Sequence, residues 1–236
     1  MKEKVYVAIP TMGWVKSELM ARLQEYANDP RVTIGPPLSC VTDHACARNT
    51  IVLEHYDYTA YTRLLMIDAD TVPPGGFIDR MLEVDRPIVS GVTHIFKHAQ
   101  PNRGGPMVKL ALWKRRKQAD GTYCADNVRS IPDEGILEDE GLMAGAFCMM
   151  VHSDVLESMN QELPWFKTSY VEETQEKLES EDLYFCRKAI EKGWKVSVLC
   201  DLICSHWKTI NLKDVALLVQ NLMKQQEPNQ KLQAAI

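Results

Sequence analysis

Short apolar runs alternate with segments of helical periodicity in the first part of the chain. Val5–Ile9 is an uninterrupted apolar run that Pro10 closes, and it predicts a buried strand. The next apolar residues recur at helical spacing and predict a helix that ends at Asp29-Pro30; they are Val15, Leu19, Leu23 and Tyr26. The chain is therefore expected to begin as a strand followed by a helix.

The same alternation continues as far as Val89. In chain order it predicts a strand at Val32–Ile34, a helix capped by Thr42 or Asp43 that runs to about His55, a strand at Leu64–Ile67, a short helix from Pro73–Gly76 to near Glu83, and a strand at Ile88-Val89. Such alternation indicates an α/β fold with a mostly parallel central sheet flanked by helices. Ligands of such sheets bind at the carboxyl ends of the strands, where Thr11, Asp68 and Ser90 are expected.

The pattern changes between about Lys97 and Pro132. Asp120-Gly121 is a hairpin turn signal between Val108–Lys117 and Thr122–Ser130, so we expect a small antiparallel excursion from the main sheet. The remaining predicted elements are a strand at Leu142–Val151, a short helix capped by Ser153, an amphipathic helix from Ser180 to Glu191 that Gly193 ends, a last strand at Lys195–Leu199, and a C-terminal helix opened by Asn211.

Neither an internal repeat nor a linker interrupts this succession of elements. We therefore predict one domain over residues 1–210. Residues 211–236 are expected to form a helix and tail that pack on this domain or extend from it, and this helix offers a surface for an oligomer.

The composition is ordinary for a soluble globular protein of 236 residues, with 45% hydrophobic and 25% charged residues. A net charge of −5 argues against a general nucleic-acid binder, and the basic run Lys114–Lys117 is interpreted as a solvated face of the hairpin. We expect no transmembrane segment, because no apolar stretch approaches membrane length. The seven cysteines lack CxxC spacing and fit neither a disulfide framework nor a zinc cluster, which favours a cytoplasmic location.

Two carboxylates one residue apart follow the predicted third strand, in Asp68-Ala69-Asp70. Carboxylates at the end of a buried strand are costly unless other charges compensate them. A divalent cation with a diphosphate supplies that compensation, because magnesium and manganese take oxygen ligands from carboxylates, phosphates and water. The alternative is a solvated turn at the end of the strand, which aspartate also favours.

Two further features carry candidate chemistry, each with a structural alternative. Glu181 and Asp182 follow Ser180 at the predicted start of a helix, where acidic residues also complement the helix dipole. A catalytic role requires Asp182 to point into a cleft as a general base. His206 lies a few residues beyond the last predicted strand, a position that suits either a metal ligand or a structural histidine.

Together, the Asp-x-Asp at Asp68, the pair Glu181-Asp182 and the late His206 resemble the pattern of GT-A glycosyltransferases. The sequence is similar in particular to small, family-two-like enzymes of bacterial and bacteriophage genomes. The resemblance spans about Val5 to Trp207 and includes these further blocks: Ala47-Arg48-Asn49, Gly141–Val151 and Pro164-Trp165-Phe166. It implies a GT-A, Rossmann-like fold and transfer of a sugar from a UDP- or GDP-sugar to an acceptor hydroxyl.

The resemblance also implies a nucleotide-sugar site, composed of Pro10, Thr11, Met12, Arg48, Asp68, Ala69, Asp70 and Gly145. The first three would line the nucleoside pocket, and Gly145 would let a sugar ring approach the backbone closely. Asp70 and His206 would hold the cation, with Asp68 on the ribose or on metal-bound water. Manganese is favoured over magnesium because one ligand is a histidine.

For catalysis, the resemblance implies that Asp182 deprotonates the acceptor hydroxyl in an inverting reaction, while Glu181 binds the acceptor or supports Asp182. The helix dipole is expected to hold the pKa of Asp182 low. The segment from Lys167 to Glu179 is expected to close over the donor. Trp165 and Phe166 would either offer an aromatic wall for the sugar or pack in the core. The acceptor stays open: a glycan, a lipid carrier, a protein or modified DNA.

Three other classes of protein stay open. A haloacid-dehalogenase-like phosphatase also carries Asp-x-Asp-x-Thr/Val after a strand, and Ser90 could then play a supporting role. In that family, however, the motif usually follows the first strand, whereas Asp68 follows the third. A nucleotidyltransferase requires a Gly-rich phosphate-binding loop after its first strand, whereas Ile9–Gly13 contains a single glycine. A nucleotide- or sugar-binding module without turnover requires only that Asp182 has no catalytic role.

Overall fold

The computed structural model describes residues 3–39, 43–98, 105–119, 123–170, 172, 177–210 and 212–233. Its helices are α1 (Ser17–Leu23), α2 (His44–Thr50), α3 (Phe77–Val84), α4 (Ser153–Ser158), α5 (Glu181–Glu191) and α6 (Leu212–Gln233). A 3-10 turn, Gln24–Tyr26, continues α1, and a π-helical turn, Ile51–His55, continues α2. The side chain of Asp43 caps α2 by accepting the N–H of Cys46 at 2.7 Å.

The strands are, in chain order, β1 (Val5–Ala8), β2 (Pro10–Thr11), β3 (Val32–Ile34), β4 (Leu38–Ser39), β5 (Arg63–Ile67), β6 (Thr71–Val72), β7 (Ile88–Val92), β8 (His94–Lys97), β9 (Met107–Leu110), β10 (Leu112–Lys117), β11 (Tyr123–Asn127), β12 (Ile136–Glu138), β13 (Leu142–Ala144), β14 (Cys148–His152), β15 (Ser169–Tyr170), β16 (Lys177–Glu179), β17 (Val196–Ile203) and β18 (Ser205–His206). The central sheet has the order β12-β17-β7-β14-β5-β1-β3. Strands β3, β1, β5, β7 and β17 run in one direction, whereas β14 and β12 run in the other. The predicted α/β class with a mainly parallel sheet is confirmed.

Helices cover both faces of this sheet, which explains why its central strands are apolar without alternation. In β5, Leu64 and Met66 pack in one core with residues of α2, α4 and α5. Leu65 and Ile67 point to the opposite face and pack with residues of α1 and α3. The strand ends at Asp68, so both aspartates of the turn lie at the carboxyl end of the sheet.

An antiparallel region leaves the main sheet after β7. Strand β8 pairs with β9, and β10 pairs with both β11 and β13. This agrees with the expected excursion, although its turn signal Asp120-Gly121 lies outside the described residues, as do Thr42 and Asn211.

Three local predictions are wrong. Leu142–Val151 forms two strands in different sheets, because the chain crosses over at Gly145, whose N–H donates to the Ala111 carbonyl at 3.1 Å. His152, and not Ser153, caps α4: its Nδ1 accepts the N–H of Asp154 at 3.2 Å. Ser90 lies within β7 and not at its end, since the strand continues to Val92.

Two findings bear on the expected location. In the described part of the chain, no helix is both long and apolar enough to cross a membrane. Cys46 is disulfide-bonded, although the cysteine spacing predicted no disulfide framework. The free cysteines of the described chain are Cys124, Cys148, Cys186, Cys200 and Cys204.

Candidate active site

The loop after β1 is organised by the hydroxyl of Thr11. Its Oγ1 accepts the N–H groups of Gly13 and Trp14, both at 3.1 Å, and donates to the Trp14 carbonyl at 2.6 Å. Pro10 and Thr11 are themselves buried and pair with β4. Of the three residues expected to line a nucleoside pocket, Met12 is the one with a side chain open to a ligand, because it is 50% exposed.

The Asp68-Ala69-Asp70 turn is held by backbone hydrogen bonds from three directions. The N–H of Asp68 donates to the Phe147 carbonyl, the carbonyl of Ala69 accepts the N–H of Lys16, and the carbonyl of Asp70 accepts the N–H of Trp207, each at 2.9 Å. Both aspartate side chains are only 15% exposed. This turn is therefore a fixed, mostly buried pair of carboxylates and not a solvated strand end.

Arg48 joins this turn to the start of α5. Its guanidinium donates from Nη2 to Asp68 Oδ1 at 2.6 Å and from Nη1 to Glu181 Oε1 at 2.9 Å, while the side chain is 2% exposed. Burial alone would lower the pKa of Arg48, but the two carboxylates outweigh it and raise the pKa. We call this buried Asp68–Arg48–Glu181 set the arginine bridge.

Two more effects act on the arginine bridge. Burial raises the pKa of Asp68, and the charges of Arg48 and His44 offset only part of that rise. Burial acts in the same direction on Glu181, but Arg48 outweighs it and lowers the pKa of that group. His44, at the start of α2, has a buried Nδ1 with no hydrogen-bond partner among the described residues. The sequence analysis missed His44, because a lone histidine has no partner at a recognisable spacing.

Asp70 faces two side chains from the far end of the chain. Nζ of Lys208 lies 2.6 Å from Asp70 Oδ2, and Nε2 of His206 lies 3.4 Å from the same oxygen. Burial alone would raise the pKa of Asp70, but hydrogen bonds with His206 and Lys208 outweigh it and lower the pKa to about 2. Asp70 is therefore ionised at physiological pH. Lys208 had not been predicted to take part in this site.

A two-residue strand pairing delivers His206 to this position. Strand β18 pairs antiparallel with β6, which directly follows the turn, and places His206 opposite Thr71. Nδ1 of His206 lies 3.1 Å from the His94 carbonyl. A carbonyl oxygen only accepts, so Nδ1 carries the hydrogen of this bond, and Nε2 is the ring nitrogen that faces Asp70.

This arrangement fits a metal-binding histidine, which usually donates its other ring N–H to a carbonyl or a carboxylate. Nε2 of His206 and Oδ2 of Asp70 lie 3.4 Å apart, so a hydrogen on Nε2 joins them in the absence of metal, and a cation between them would take its place. Within the described ranges, however, no three His, Cys, Asp or Glu side chains form a group that could hold a metal ion. Asp68, expected on the ribose or on metal-bound water, is ion-paired with Arg48. Of the residues expected at the metal, the structure thus brings Asp70 and His206 together.

Asp182 lies in the first turn of α5, where the Ser180 hydroxyl donates to its Oδ1 and the Leu183 N–H donates to the same oxygen at 2.9 Å. Burial and the neighbouring charge of Glu181 raise its pKa. The expectation of a low pKa is therefore wrong, because desolvation outweighs the helix dipole. One turn later, Cys186 Sγ donates to the Ala144 carbonyl at 3.4 Å, so this face of α5 lies against β13.

Gly145, next to β13, lies under the ring of Phe147. A Cβ at Gly145 would come within 2.0 Å of Cζ of that ring. The centroid of the Phe147 ring is 5.9 Å from that of His206, and the Phe147 carbonyl holds Asp68. The glycine thus makes room for an aromatic ring that links both halves of the site, a role that the sequence did not indicate.

Trp165 and Phe166 pack in the core and form no aromatic wall. Trp165 is 4% exposed and donates its indole N–H to the Leu156 carbonyl at 3.0 Å. Phe166 stacks on Phe185 with 4.8 Å between centroids. The Asn49 side chain exchanges two hydrogen bonds with the Phe166 backbone, which gives the Arg48-Asn49 block a structural function.

Part of the segment expected to close over a donor lies outside the described residues, namely residues 171 and 173–176. The described part pairs β15 with β16. Lys177 Nζ lies 3.5 Å from Glu181 Oε2, so β16 contacts the arginine bridge. Closure of this segment stays a prediction.

Comparison with known proteins adds a likeness of fold. No protein-family model and no curated protein matches the sequence. The fold resembles that of A197 from STIV. The crystal structure of A197 aligns with a TM-score of 0.52 at 18% sequence identity, over 87% of this chain and 86% of that chain. At this identity the likeness concerns the fold alone.

A second solved structure aligns more loosely. It is the crystal structure of GalNAc-T7 with UDP, GalNAc and Mn2+, with a TM-score of 0.48 and 10% sequence identity. The alignment covers 88% of this chain but only 44% of that chain. An overlap this loose carries no argument about function.

Proposed function

We propose that the protein is a metal-dependent glycosyltransferase of the GT-A type, which moves a sugar from a UDP- or GDP-sugar to an acceptor hydroxyl. One observation carries the proposal: His206 Nε2 lies 3.4 Å from Asp70 Oδ2, while its Nδ1 is held by a backbone carbonyl. The arginine bridge supports it, because it brings the start of α5 to the same end of the sheet. The phosphatase alternative is weakened, since Ser90 is buried within β7.

Asp70 and His206 are proposed to hold Mn2+, with diphosphate and water oxygens as the other ligands. When bound, the cation neutralises negative charge on the departing diphosphate. Lys208 now contacts the Asp70 oxygen that a cation would contact, at 2.6 Å. We therefore propose that Lys208 leaves Asp70 on metal binding and that its ammonium group then pairs with a phosphate oxygen of the donor.

Asp182 is proposed to accept the proton of the acceptor hydroxyl. The acceptor oxygen then bonds to the anomeric carbon as the bond from that carbon to the diphosphate breaks, and the electron pair of the broken bond leaves with the nucleoside diphosphate. This single displacement inverts the anomeric centre. The raised pKa of Asp182 suits the task, because a general base is most effective when its pKa is near the working pH. Glu181 is tied to Arg48 and positions the start of α5.

The proposal predicts that UDP or GDP binds only together with Mn2+. Isothermal calorimetry with either nucleotide should show binding in manganese and none in EDTA. Asp70→Asn should weaken the manganese-dependent affinity at least about 100-fold, since even outer-shell partners of metal ligands contribute 10–100-fold. Asp79→Asn is the matched control, because this half-exposed aspartate pairs with Arg31 and touches no residue of the site.

Two results would contradict the proposal in different ways. Equal affinity for UDP in EDTA would show that no metal takes part in nucleotide binding. Lys208 would then be the positive charge that faces the diphosphate. Absence of nucleotide binding under both conditions, together with hydrolysis of p-nitrophenyl phosphate that Asp68→Asn abolishes, would replace the glycosyltransferase with a phosphatase.

Removal of Lys208 should strengthen the binding of Mn2+ in the absence of nucleotide. Lys208→Met frees Asp70 Oδ2 from a half-exposed ion pair, so we expect a two- to five-fold gain in affinity, which is about 1 kcal/mol or less. Electron paramagnetic resonance of free Mn2+ measures this directly. Lys16→Met is the control for the loss of a nearby positive charge, because its Nζ lies over the Trp207 ring, 4.3 Å from the centroid. An equal gain in both variants would show that Lys208 does not compete for the oxygen.

A further inference from the structure

A cavity of about 840 Å³ opens between the strands of the antiparallel region. Its walls come from His94 in β8, from β9, and from the last two residues of β11 and the two that follow them, as far as Arg129. None of these positions was assigned a function from the sequence, and His94 is the one that also takes part in the site described above, through its backbone carbonyl.

Backbone hydrogen-bond acceptors in or next to the cavity wall contact two residues of the candidate active site, His206 and Gly145. His94 lines the cavity, and its carbonyl oxygen accepts the Nδ1–H of His206 at 3.1 Å. Leu110 also lines it, and the next residue, Ala111, accepts the Gly145 N–H at 3.1 Å. A molecule in the cavity would therefore lie next to the backbone that holds the proposed metal ligand His206 and next to the backbone that holds Gly145.

The charge of the cavity is positive in a protein whose net charge is −5. Lys109 and Arg129 line it, and in the described part of the chain neither forms an ion pair with a carboxylate. Asp126 is the acidic residue of the lining, and Arg116 already holds it with an Nε–Oδ2 distance of 2.7 Å. Two cationic groups are thus left to face whatever the cavity binds.

The floor of the cavity is rigid. Asn127 donates from Nδ2 to the carbonyls of Leu110 and Leu112, at 2.7 and 2.9 Å, and thereby ties β11 to β9 and β10. Lys109 lies in β9 next to Leu110, and Arg129 follows the end of β11 by two residues, so both leave this tied backbone close to Asn127 in the chain. An arginine and a lysine at one cavity suit an oxyanion, because an arginine fork matches phosphate or carboxylate and a lysine adds a point charge.

We propose that this cavity is the acceptor subsite and that it binds an anionic group, a phosphate or a carboxylate, carried by the acceptor. This inference rests on the proposed glycosyltransferase function for its role in transfer. It excludes an acceptor that is neutral throughout.

The test uses inorganic phosphate and acetate as probes on the full chain. Each anion is titrated into the Asp70→Asn variant, in which the nucleotide site is disabled, and NMR records the amide chemical shifts. We expect phosphate, acetate or both to shift the amides of β9 and of residues near Arg129. Lys109→Gln with Arg129→Gln should weaken this binding at least about ten-fold. Lys117→Gln, an exposed lysine at the end of β10, should leave it unchanged.

The outcomes separate the two ligand chemistries and the two proposals. Phosphate alone indicates a phosphorylated acceptor, acetate alone a carboxylated one, and both an oxyanion site without preference. Binding that the double Gln variant retains, or shifts confined to other parts of the chain, would overturn the inference. The variant Lys109→Arg with Arg129→Lys keeps both charges and should restore binding, which separates loss of charge from loss of fold. Failure of UDP to bind the wild type would defeat the proposed function but leave the anion site standing.

Discussion

Arg48→Met is expected to lower the free energy of unfolding by about 3–5 kcal/mol at neutral pH, the range for breaking a buried ion pair. The side chains of Arg48, Asp68 and Glu181 are 2%, 15% and 12% exposed. Methionine fills a similar volume without a charge, so two carboxylates remain buried and uncompensated. Urea unfolding at pH 7, followed by circular dichroism, measures the loss.

The loss should shrink as the pH falls. Without Arg48, burial and mutual repulsion raise the pKa values of Asp68 and Glu181 above their unfolded values, near 4. The folded variant then binds protons more readily than the unfolded chain, so its stability recovers as the pH drops through these raised values. Restoring neutrality with Asp68→Asn and Glu181→Gln in the Arg48→Met background should recover part of the loss at pH 7.

A second buried arginine provides the control. Arg63 is 4% exposed in its side chain, but its partners Glu3 and Asp85 are 38% and 81% exposed. Water can solvate those carboxylates after Arg63→Met, so we expect a smaller loss with a weaker pH dependence. An equal loss in both variants would mean that the arginine bridge has no special energetic role.

Asp182→Asn is expected to lower turnover by about 10²–10⁴-fold, the contribution of a positioned general base. The affinity for UDP with manganese should stay within about two-fold, since no contact of Asp70 or His206 changes. The amide oxygen of asparagine still accepts the Ser180 hydroxyl, so the start of α5 is preserved. Hydrolysis of a UDP-sugar measures turnover, and Glu179→Gln is the control, because Glu179 is paired with Arg187 at 2.9 Å.

The raised pKa of Asp182 makes two further measurements decisive. Turnover of the wild type should fall as the pH drops through that pKa, above the ordinary aspartate value of about 3.9. Because burial penalises the ionised form, Asp182→Asn should be at least as stable as the wild type at pH 7. Near-normal turnover of the variant with retention at the anomeric centre would defeat the role of Asp182 and leave the metal proposal intact.

The sequence predicted the core of the sheet because its strands carry an unmistakable signal. Leu64–Ile67 is apolar at every position, as expected of a strand that is covered on both faces, and Asp68 ends it abruptly. The start of α5 was equally clear, because Ser180 with two acidic residues is a helix N-terminus. These two elements carry most of the predicted site, and the structure connects them through Arg48.

Other features depend on contacts that leave no periodic mark in the sequence. The run Leu142–Val151 reads as one strand, since nothing in its composition shows that the chain changes sheets at Gly145. Lys208 lacked any signal because its partner, Asp70, is distant in the sequence. The pKa of Asp182 was misjudged because the helix dipole is visible in a sequence, whereas desolvation depends on tertiary packing.

Lys208 and Glu181, which pair with Asp70 and Arg48, are synthesised long after these partners. Lys208 follows Asp70 by 138 residues, and Glu181 follows Arg48 by 133. At roughly 5–20 residues per second, Asp70 leaves the peptidyl-transferase centre roughly 7–28 s before Lys208 is made. A growing chain can therefore pair β1, β3 and β5 while the cation site is still incomplete. Under the proposed function, capture of metal is thereby postponed until His206 and Lys208 have been made, so the metal would stabilise the sheet only after its main strands have paired.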